Sequence, residues 1–274
     1  MPELPEVETI RRGLGEVLPG RTIAQVDVRY SGSIKKPSAG EFMMLLPGRT
    51  VTATARRGKY LLLSLDDGSF LVVHLRMTGK LIFTDVPALH DKHTHLIFTF
   101  TDKTTLFFND IRKFGTVYLL PEHRLDEIRG LANLGPEPLS DNFNAAYLEN
   151  AVKKRKTTIK ALLLNQEIVA GLGNIYVDEA LHRAGLKPAR LATTLESDEL
   201  ACLVIMIKEV LSEAILYRGT TLSDYRDAGG SYGQFQHHLR VYQRRGLACL
   251  RCGQIIERSV VAGRGTHFCP TCQI

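Results

Sequence analysis

Along the first eighteen residues the apolar positions Val7, Ile10, Leu14 and Val17 recur at three- and four-residue spacing. That period predicts an amphipathic helix over residues 6–18, with Pro5 suited to its first turn and Pro19-Gly20 ending it. From residue 22 to about 120 the period shortens. It predicts strands at 22–30, 50–55, 60–65, 70–75, 96–100, 104–108 and 116–120, with turn residues such as Asp66-Asp67-Gly68 and Thr101-Asp102-Lys103 between them. Short strands at this spacing predict a β-sandwich.

Near Asn133-Leu134-Gly135-Pro136-Glu137-Pro138 the pattern changes. Two prolines and a glycine mark a linker, and helical periodicity follows at 143–153, 158–165, 175–184 and 198–217. In the last of these, Leu200, Leu203, Ile207, Leu211 and Ala214 make the buried stripe, and Arg218-Gly219 supplies a C-terminal signal. Residues 223–236 are polar, carry glycine and lack periodicity, which predicts a mobile loop. Residues 239–274 form a compact basic tail. The expected fold class is α+β, divided as 1–133, 134–236 and 237–274.

The chain has 274 residues and a formal net charge of +6, with a pI near 9.1. A basic surface of this kind fits an anionic partner such as nucleic acid. No apolar run approaches the roughly 18 residues of a membrane span, and no signal segment opens the chain, so the expected location is the cytoplasm. Of five cysteines, Cys202 lies among apolar residues and is expected to be a small buried hydrophobe. Cys249-x2-Cys252 and Cys269-x2-Cys272 stand sixteen residues apart, within the range of a four-cysteine zinc site. Four thiolates close the coordination sphere, so such a zinc is structural and stiffens a hairpin too small to fold alone. The alternative, two disulfides, conflicts with the absent signal segment.

Other motifs are ambiguous singly. Between the cysteine pairs lies Val260-Val261-Ala262-Gly263-Arg264-Gly265-Thr266-His267, which reads as a phosphate-binding arginine at a hairpin tip or as a glycine turn with a solvated arginine. Ile168-Val169-Ala170-Gly171-Leu172-Gly173-Asn174-Ile175 is a glycine-rich turn before a helix, with Asn174 at or near the cap, and forms an anion site. Its spacing fits neither nucleotide fingerprint, so no nucleotide cofactor is expected. Lys153-Lys154-Arg155-Lys156 with Lys160 reads as a solvated face or as a backbone-tracking surface. His74-Leu75-Arg76-Met77-Thr78-Gly79 and Asp110-Ile111-Arg112-Lys113-Phe114-Gly115 place apolar groups among cations, as wedges for a base stack or as ordinary core residues. Arg56-Arg57-Gly58-Lys59 is similarly open.

The N-terminus carries the candidate chemistry. A small residue after Met1 favours its removal, leaving the secondary amine of Pro2 with Glu3 one peptide bond away. A generic α-amino group has a pKa of about 7.7–8 against about 10.4 for lysine, so more of it is neutral and able to attack a carbon electrophile. Proline's own basicity reduces that advantage without removing it. Such an amine can form an iminium intermediate; the bland alternative is a frayed terminus.

Together these segments resemble the bacterial formamidopyrimidine-DNA glycosylases, also called 8-oxoguanine DNA glycosylases. The likeness runs from Met-Pro-Glu-Leu-Pro-Glu-Val-Glu-Thr to Ala-Gly-Arg-Gly-Thr-His-Phe-Cys-Pro-x-Cys. It passes through Arg-Arg-Gly-Lys-Tyr, His-Leu-Arg-Met, Asp-x-Arg-Lys-Phe-Gly, Leu-Gly-Pro-Glu-Pro-Leu and Ala-Gly-Leu-Gly-Asn-Ile-Tyr-Val-Asp-Glu, and so spans essentially the whole chain. The resemblance implies an N-terminal β-sandwich, a helix-two-turn-helix region and a zinc finger, with double-stranded, damaged DNA running between them and a monomeric enzyme. It implies Pro2 as nucleophile, Glu3 as general acid/base, Lys59 as proton donor in β-elimination and Arg264 as the finger arginine of δ-elimination. It implies Met77, Arg112 and Phe114 as fillers of the gap left by an everted base. His93, Arg155, Lys160 and Asn174 fall at DNA-contact positions, although Arg155 stands where a lysine is the usual residue. Lesion choice falls to the loop 220–236 around Tyr225. Two other readings are a related endonuclease VIII-type enzyme for oxidised pyrimidines and a non-enzymatic zinc-ribbon DNA-binding protein.

Overall fold

The computed structural model describes residues 1–85, 91–153, 155–222 and 225–274. Lys154 of the basic cluster, and Ser223 and Asp224 of the expected loop, lie outside the described residues. The chain divides into two compact units, one of Met1–Ala132 with Tyr217–Gln234 and one of Asn133–Leu216 with Phe235–Ile274. The segment 217–234, expected with the helical region, thus belongs to the first unit.

The first unit opens with helix α1, Leu4–Val17, which begins two residues before the apolar period predicts. Pro5 lies in the first turn, as a residue that surrenders no needed N–H. Strands β1 (Ile23–Val28) and β2 (Ile34–Lys36), helix α2 (Ala39–Leu45), and strands β3 (Val51–Arg57), β4 (Tyr60–Leu65), β5 (Ser69–His74), β6 (Gly79–Thr84), β7 (Thr94–Phe100), β8 (Thr105–Asp110) and β9 (Thr116–Pro121) follow. A one-turn helix α3, Arg129–Ala132, closes this stretch. Four strands form one sheet in the order β1-β7-β8-β6, and five form the other in the order β2-β9-β5-β4-β3. Every pairing is antiparallel except β2 with β9. The inner faces share one core, in which Leu61, Leu63, Leu71, Val73, Val117 and Leu119 meet Val26, Leu96, Phe98, Phe100, Leu106 and Phe108. The expected sandwich is therefore present. Four elements of this unit were missing from the expectation: β2, α2, β6 and the short α3. Helix α2 buries only Phe42 and leaves Met43, Met44 and Leu45 exposed, so it shows no apolar period; its start is set by Ser38, which caps it through Glu41.

The second unit holds helices α4 (Ala145–Lys153), α5 (Ile159–Leu164), α6 (Asn174–Ala184) and α7 (Ser197–Leu216), then the hairpin β10 (Glu257–Val261) and β11 (Arg264–Phe268). Leu200, Leu203, Ile207, Leu211 and Ala214 are buried as the stripe predicts, joined by Val204 and Val210. Cys202 is exposed, which corrects the expectation of a buried hydrophobe: two residues from Leu200 on a 3.6-residue helix, it points away from the stripe. After α7 both Arg218 (φ 60°) and Gly219 (φ 80°) take left-handed backbone, so the reversal begins one residue before the glycine.

Candidate active site and nucleic-acid interface

Pro2 and Glu3 are buried at the start of α1, whereas Met1 is 53% exposed. Glu3 is the N-cap, and its N–H donates to Glu6 Oε2 at 2.7 Å. The other oxygen of the same carboxylate, Oε1, accepts the Thr220 N–H at 2.7 Å. Glu6 itself is 1% exposed. One buried carboxylate therefore joins the residue after the candidate nucleophile to the start of the candidate lesion loop. Tyr225 packs in the core of this unit and donates its hydroxyl to Arg218 O at 3.1 Å. Burial, with the Glu6 carboxylate beside it, pushes the Tyr225 phenol well above its ordinary value. The loop is hooked further on, where Asp227 accepts the Gly229 and Ser231 amides and Phe83 N–H donates to Ala228 O.

Lys59 is buried at the turn between β3 and β4, strands against which α1 packs. Arg56 holds that turn: Nη1 donates to Gly58 O at 2.8 Å, and Nε reaches Glu8 Oε2 at 3.3 Å. The ion pair thus fixes the lysine-bearing turn to the helix that Glu3 caps and Pro2 precedes. Beside it lies His74, whose Nδ1 accepts the Arg76 N–H at 3.0 Å. Burial and the charges of Arg76 and Lys59 hold His74 down to about 3, so it is neutral near neutrality.

The three expected wedge residues come together in the first unit. Met77 and Phe114 are 40% and 51% exposed, and Arg112 joins them. Arg112 Nη1 stands 3.0 Å from Met77 Sδ, and its guanidinium carbon lies 4.8 Å from the Phe114 ring centre. Sequence reasoning gave no role to Asp110, which is fully buried beneath them. Its Oδ1 accepts the Thr78 hydroxyl at 2.5 Å and the Arg112 N–H at 3.2 Å, and Oδ2 accepts the Gly115 N–H at 2.7 Å. Its backbone N–H donates to His93 O at 2.9 Å. The signal was the leading acid of the Asp-x-Arg-Lys-Phe-Gly motif itself. Two glycines make the turns possible: a Cβ on Gly79 would lie 2.4 Å from Leu75 O, and one on Gly115 would lie 2.5 Å from Phe108 Cζ. Each exposed turn also carries a left-handed cation, Arg76 (φ 55°) and Lys113 (φ 59°). His93 is half-buried, with its N–H on Asp91 Oδ1 at 2.8 Å.

In the second unit, Ala262 (φ 53°) and Gly263 (φ 69°) form the two-residue turn between β10 and β11. Positive φ at both positions is the geometry that matches strand twist. Arg264 follows at the tip and is exposed. The next residue is gripped from below: Gly265 O accepts Asn174 Nδ2 at 2.9 Å and Lys160 Nζ at 3.4 Å. Lys160 is fully buried and paired with Asp178 Oδ1 at 2.6 Å, while Asp178 Oδ2 accepts the His267 N–H at 2.9 Å. The structure thus differs from the expectation at two candidate DNA contacts. Lys160 and Tyr225 are interior residues, the first because a buried acid neutralises it and the second because its ring fills the core. Asn174, expected at or near the cap of α6, is its first helical residue, directly after the cap Gly173. Arg155 is half-buried just past α4.

The sulfur atoms of Cys249, Cys252, Cys269 and Cys272 all lie within 4.8 Å of one another. A tetrahedron with bonds of about 2.3 Å to zinc sets its sulfurs about 3.8 Å apart. The Cys249–Cys272 and Cys252–Cys269 separations are 3.9 and 3.5 Å. The Arg251 N–H points at Cys249 Sγ and the Cys272 N–H at Cys269 Sγ, each at 3.4 Å, which suits thiolates rather than thiols. Four thiolates fit one zinc ion, which supplies rigidity and no open coordination position.

Residues 1–117 match the family described as formamidopyrimidine-DNA glycosylase N-terminal domain, 134–226 the formamidopyrimidine-DNA glycosylase H2TH domain, and 246–274 the zinc finger found in FPG and IleRS. The chain is 46% identical over 276 residues to formamidopyrimidine-DNA glycosylase of Pelotomaculum thermopropionicum, covering 100% of this chain and 99% of that one. It is 48% identical over 277 residues to the Bacillus licheniformis protein of that description, covering 100% and 99%. Among solved structures, a complex between Lactococcus lactis Fpg and abasic-site DNA has a TM-score of 0.93 at 38% identity, covering 99% of each chain. The MutM (FPG) protein of Thermus thermophilus has a TM-score of 0.89 at 44% identity, covering 99% of this chain and 98% of that one. This chain belongs to the formamidopyrimidine-DNA glycosylase family. It is a DNA glycosylase and AP lyase of base excision repair for oxidised purines, with one structural zinc ion.

Proposed function

We propose that the chain excises 8-oxoguanine and formamidopyrimidines from duplex DNA through Pro2 and then cuts the strand by β,δ-elimination. After removal of Met1, the Pro2 nitrogen lone pair attacks C1′ of the sugar. The glycosidic bond breaks, and its electrons leave with the base. Glu3 takes the N–H proton that the Pro2 nitrogen sheds and delivers it to O4′ as the ring opens, giving an iminium, while water protonates the departed base. The iminium acidifies C2′; loss of that proton expels the 3′ phosphate, with Lys59 as proton donor, and a second elimination expels the 5′ phosphate, with Arg264 at the phosphate. A one-nucleotide gap remains. Met77, Arg112 and Phe114 fill the stack that the base vacates, an extrusion costing a few kcal/mol. His93 and Arg155 contact the DNA backbone, Asn174 and Lys160 act through the Gly265 carbonyl beside Arg264, and Tyr225 anchors the lesion loop.

One observation supports this reading most: the buried Glu6 carboxylate that holds the Glu3 and Thr220 amides fixes the Pro2-Glu3 terminus, as a frayed end is not fixed. The DNA is double-stranded and carries damaged bases, and the enzyme acts as a monomer in the cytoplasm. No helix among the described residues is long and apolar enough to cross a membrane. Excision from duplexes carrying 8-oxoguanine opposite cytosine or thymine glycol tests the substrate class. Faster release of 8-oxoguanine is expected, and faster release of thymine glycol would replace the reading with the pyrimidine-directed one.

A further inference from the structure

The zinc-site thiolates meet one group that neither the zinc ligands nor the DNA chemistry uses. His182, in the last turn of α6, is fully buried, and its Nε2 lies 3.4 Å from Cys249 Sγ. Its other ring nitrogen, Nδ1, is buried and has no hydrogen-bond partner among the described residues. That asymmetry assigns the proton. A proton on Nδ1 would be a buried donor without an acceptor, and would turn the Nε2 lone pair toward the sulfur lone pairs. A proton on Nε2 makes an N–H···S bond and leaves only an acceptor unmet, the smaller penalty. Cys249 Sγ then takes two donors, the ring N–H and the Arg251 N–H. The same knuckle is tied to α6 a second time, by Arg251 Nη2 on Arg183 O at 3.1 Å.

We propose that His182 is a supporting residue of the zinc site, donating Nε2–H to the Cys249 thiolate and so restraining that sulfur's reaction with electrophiles. A donated hydrogen bond draws charge off a thiolate, which stays a zinc ligand but becomes a poorer nucleophile. Cys249 is the ligand so protected, by a residue of α6, and the finger that presents Arg264 keeps its metal longer.

The test uses the full-length, zinc-loaded protein and its His182→Phe and His182→Gln variants. Zinc content is first measured per chain. N-ethylmaleimide is then added, and zinc release is followed by the absorbance of 4-(2-pyridylazo)resorcinol. Phenylalanine fills the volume without a donor, and its release is expected to be about tenfold faster, the scale of lost support around metal ligands. Glutamine keeps an N–H donor and is expected to release zinc much closer to the wild-type rate. Equal rates for all three proteins overturn the proposal. So does a glutamine variant as fast as the phenylalanine one, which would assign the effect to packing. If the phenylalanine variant purifies without zinc, the glutamine variant decides: one zinc per chain with near-wild-type release supports the donated bond, and an empty site overturns it.

Discussion

Asp110 Oδ2 accepts the Gly115 N–H at 2.7 Å, and this bond closes the turn that carries Arg112 and Phe114. Because Oδ1 of the same group holds Thr78 and Arg112, one buried acid ties the Met77 turn to the Phe114 turn. Asp110→Asn cannot accept on both sides, and the unmet donor is expected to cost about 1–3 kcal/mol in urea unfolding. Single-turnover excision of a paired 8-oxoguanine should fall more than cleavage at a preformed abasic site, where no base is extruded. An equal loss on both substrates would deny Asp110 its place under the wedge.

His74 makes stability depend on pH. The unfolded imidazole protonates near 6.5 and the folded one only near 3, so between these values the unfolded chain binds the extra proton. The contribution of neutral His74 is complete above 6.5 and is lost as pH falls toward 3, by at most about 1.4 kcal/mol per pH unit. Protonation also removes the acceptor for Arg76 N–H, the residue before Met77. Urea midpoints at pH 7 and pH 5 should therefore separate more for the wild type than for His74→Phe, which can keep the edge contact with Tyr60. The same pH response in both would remove His74 from the account.

Much of the fold is legible because burial leaves a period. The α7 stripe and the seven stronger strands follow from it, and the cysteine spacing gives the finger without further context. The interior polar network is not legible in this way. Lys160 reads as part of a basic surface because its partner Asp178 is eighteen residues away and shows no pairing in the sequence. Tyr225 reads as a loop residue because its burial depends on contacts with α1, more than two hundred positions earlier. Asp110 and Glu6 sit inside recognised motifs, yet what each carboxylate holds emerges only from the fold.

Glu6 links the nucleophile's helix to the lesion loop, so Glu6→Ala should act on both. Losing two amide bonds to a buried carboxylate is expected to cost about 2–3 kcal/mol. In hydrogen exchange the Thr220 amide should lose protection along with the Glu3 amide. Unchanged protection at Thr220 would mean that the loop is held by other contacts alone.

Stripping the zinc should disorder the β10–β11 hairpin and weaken DNA binding, because four thiolates close the only ligand set found for it among the described residues. A chelator titration followed by DNA anisotropy checks this, with the weakening reversed by added zinc. Binding that survives complete zinc loss would remove the hairpin from the DNA interface.

The decisive measurement is borohydride trapping on 8-oxoguanine DNA, followed by mass analysis of the peptide attached to the sugar. The account predicts one adduct on the terminal peptide, at the Pro2 nitrogen, with Pro2→Gly trapping less and a chain that retains Met1 not trapping there. An adduct on Lys59, or full-rate trapping by the Met1-bearing chain, would contradict it.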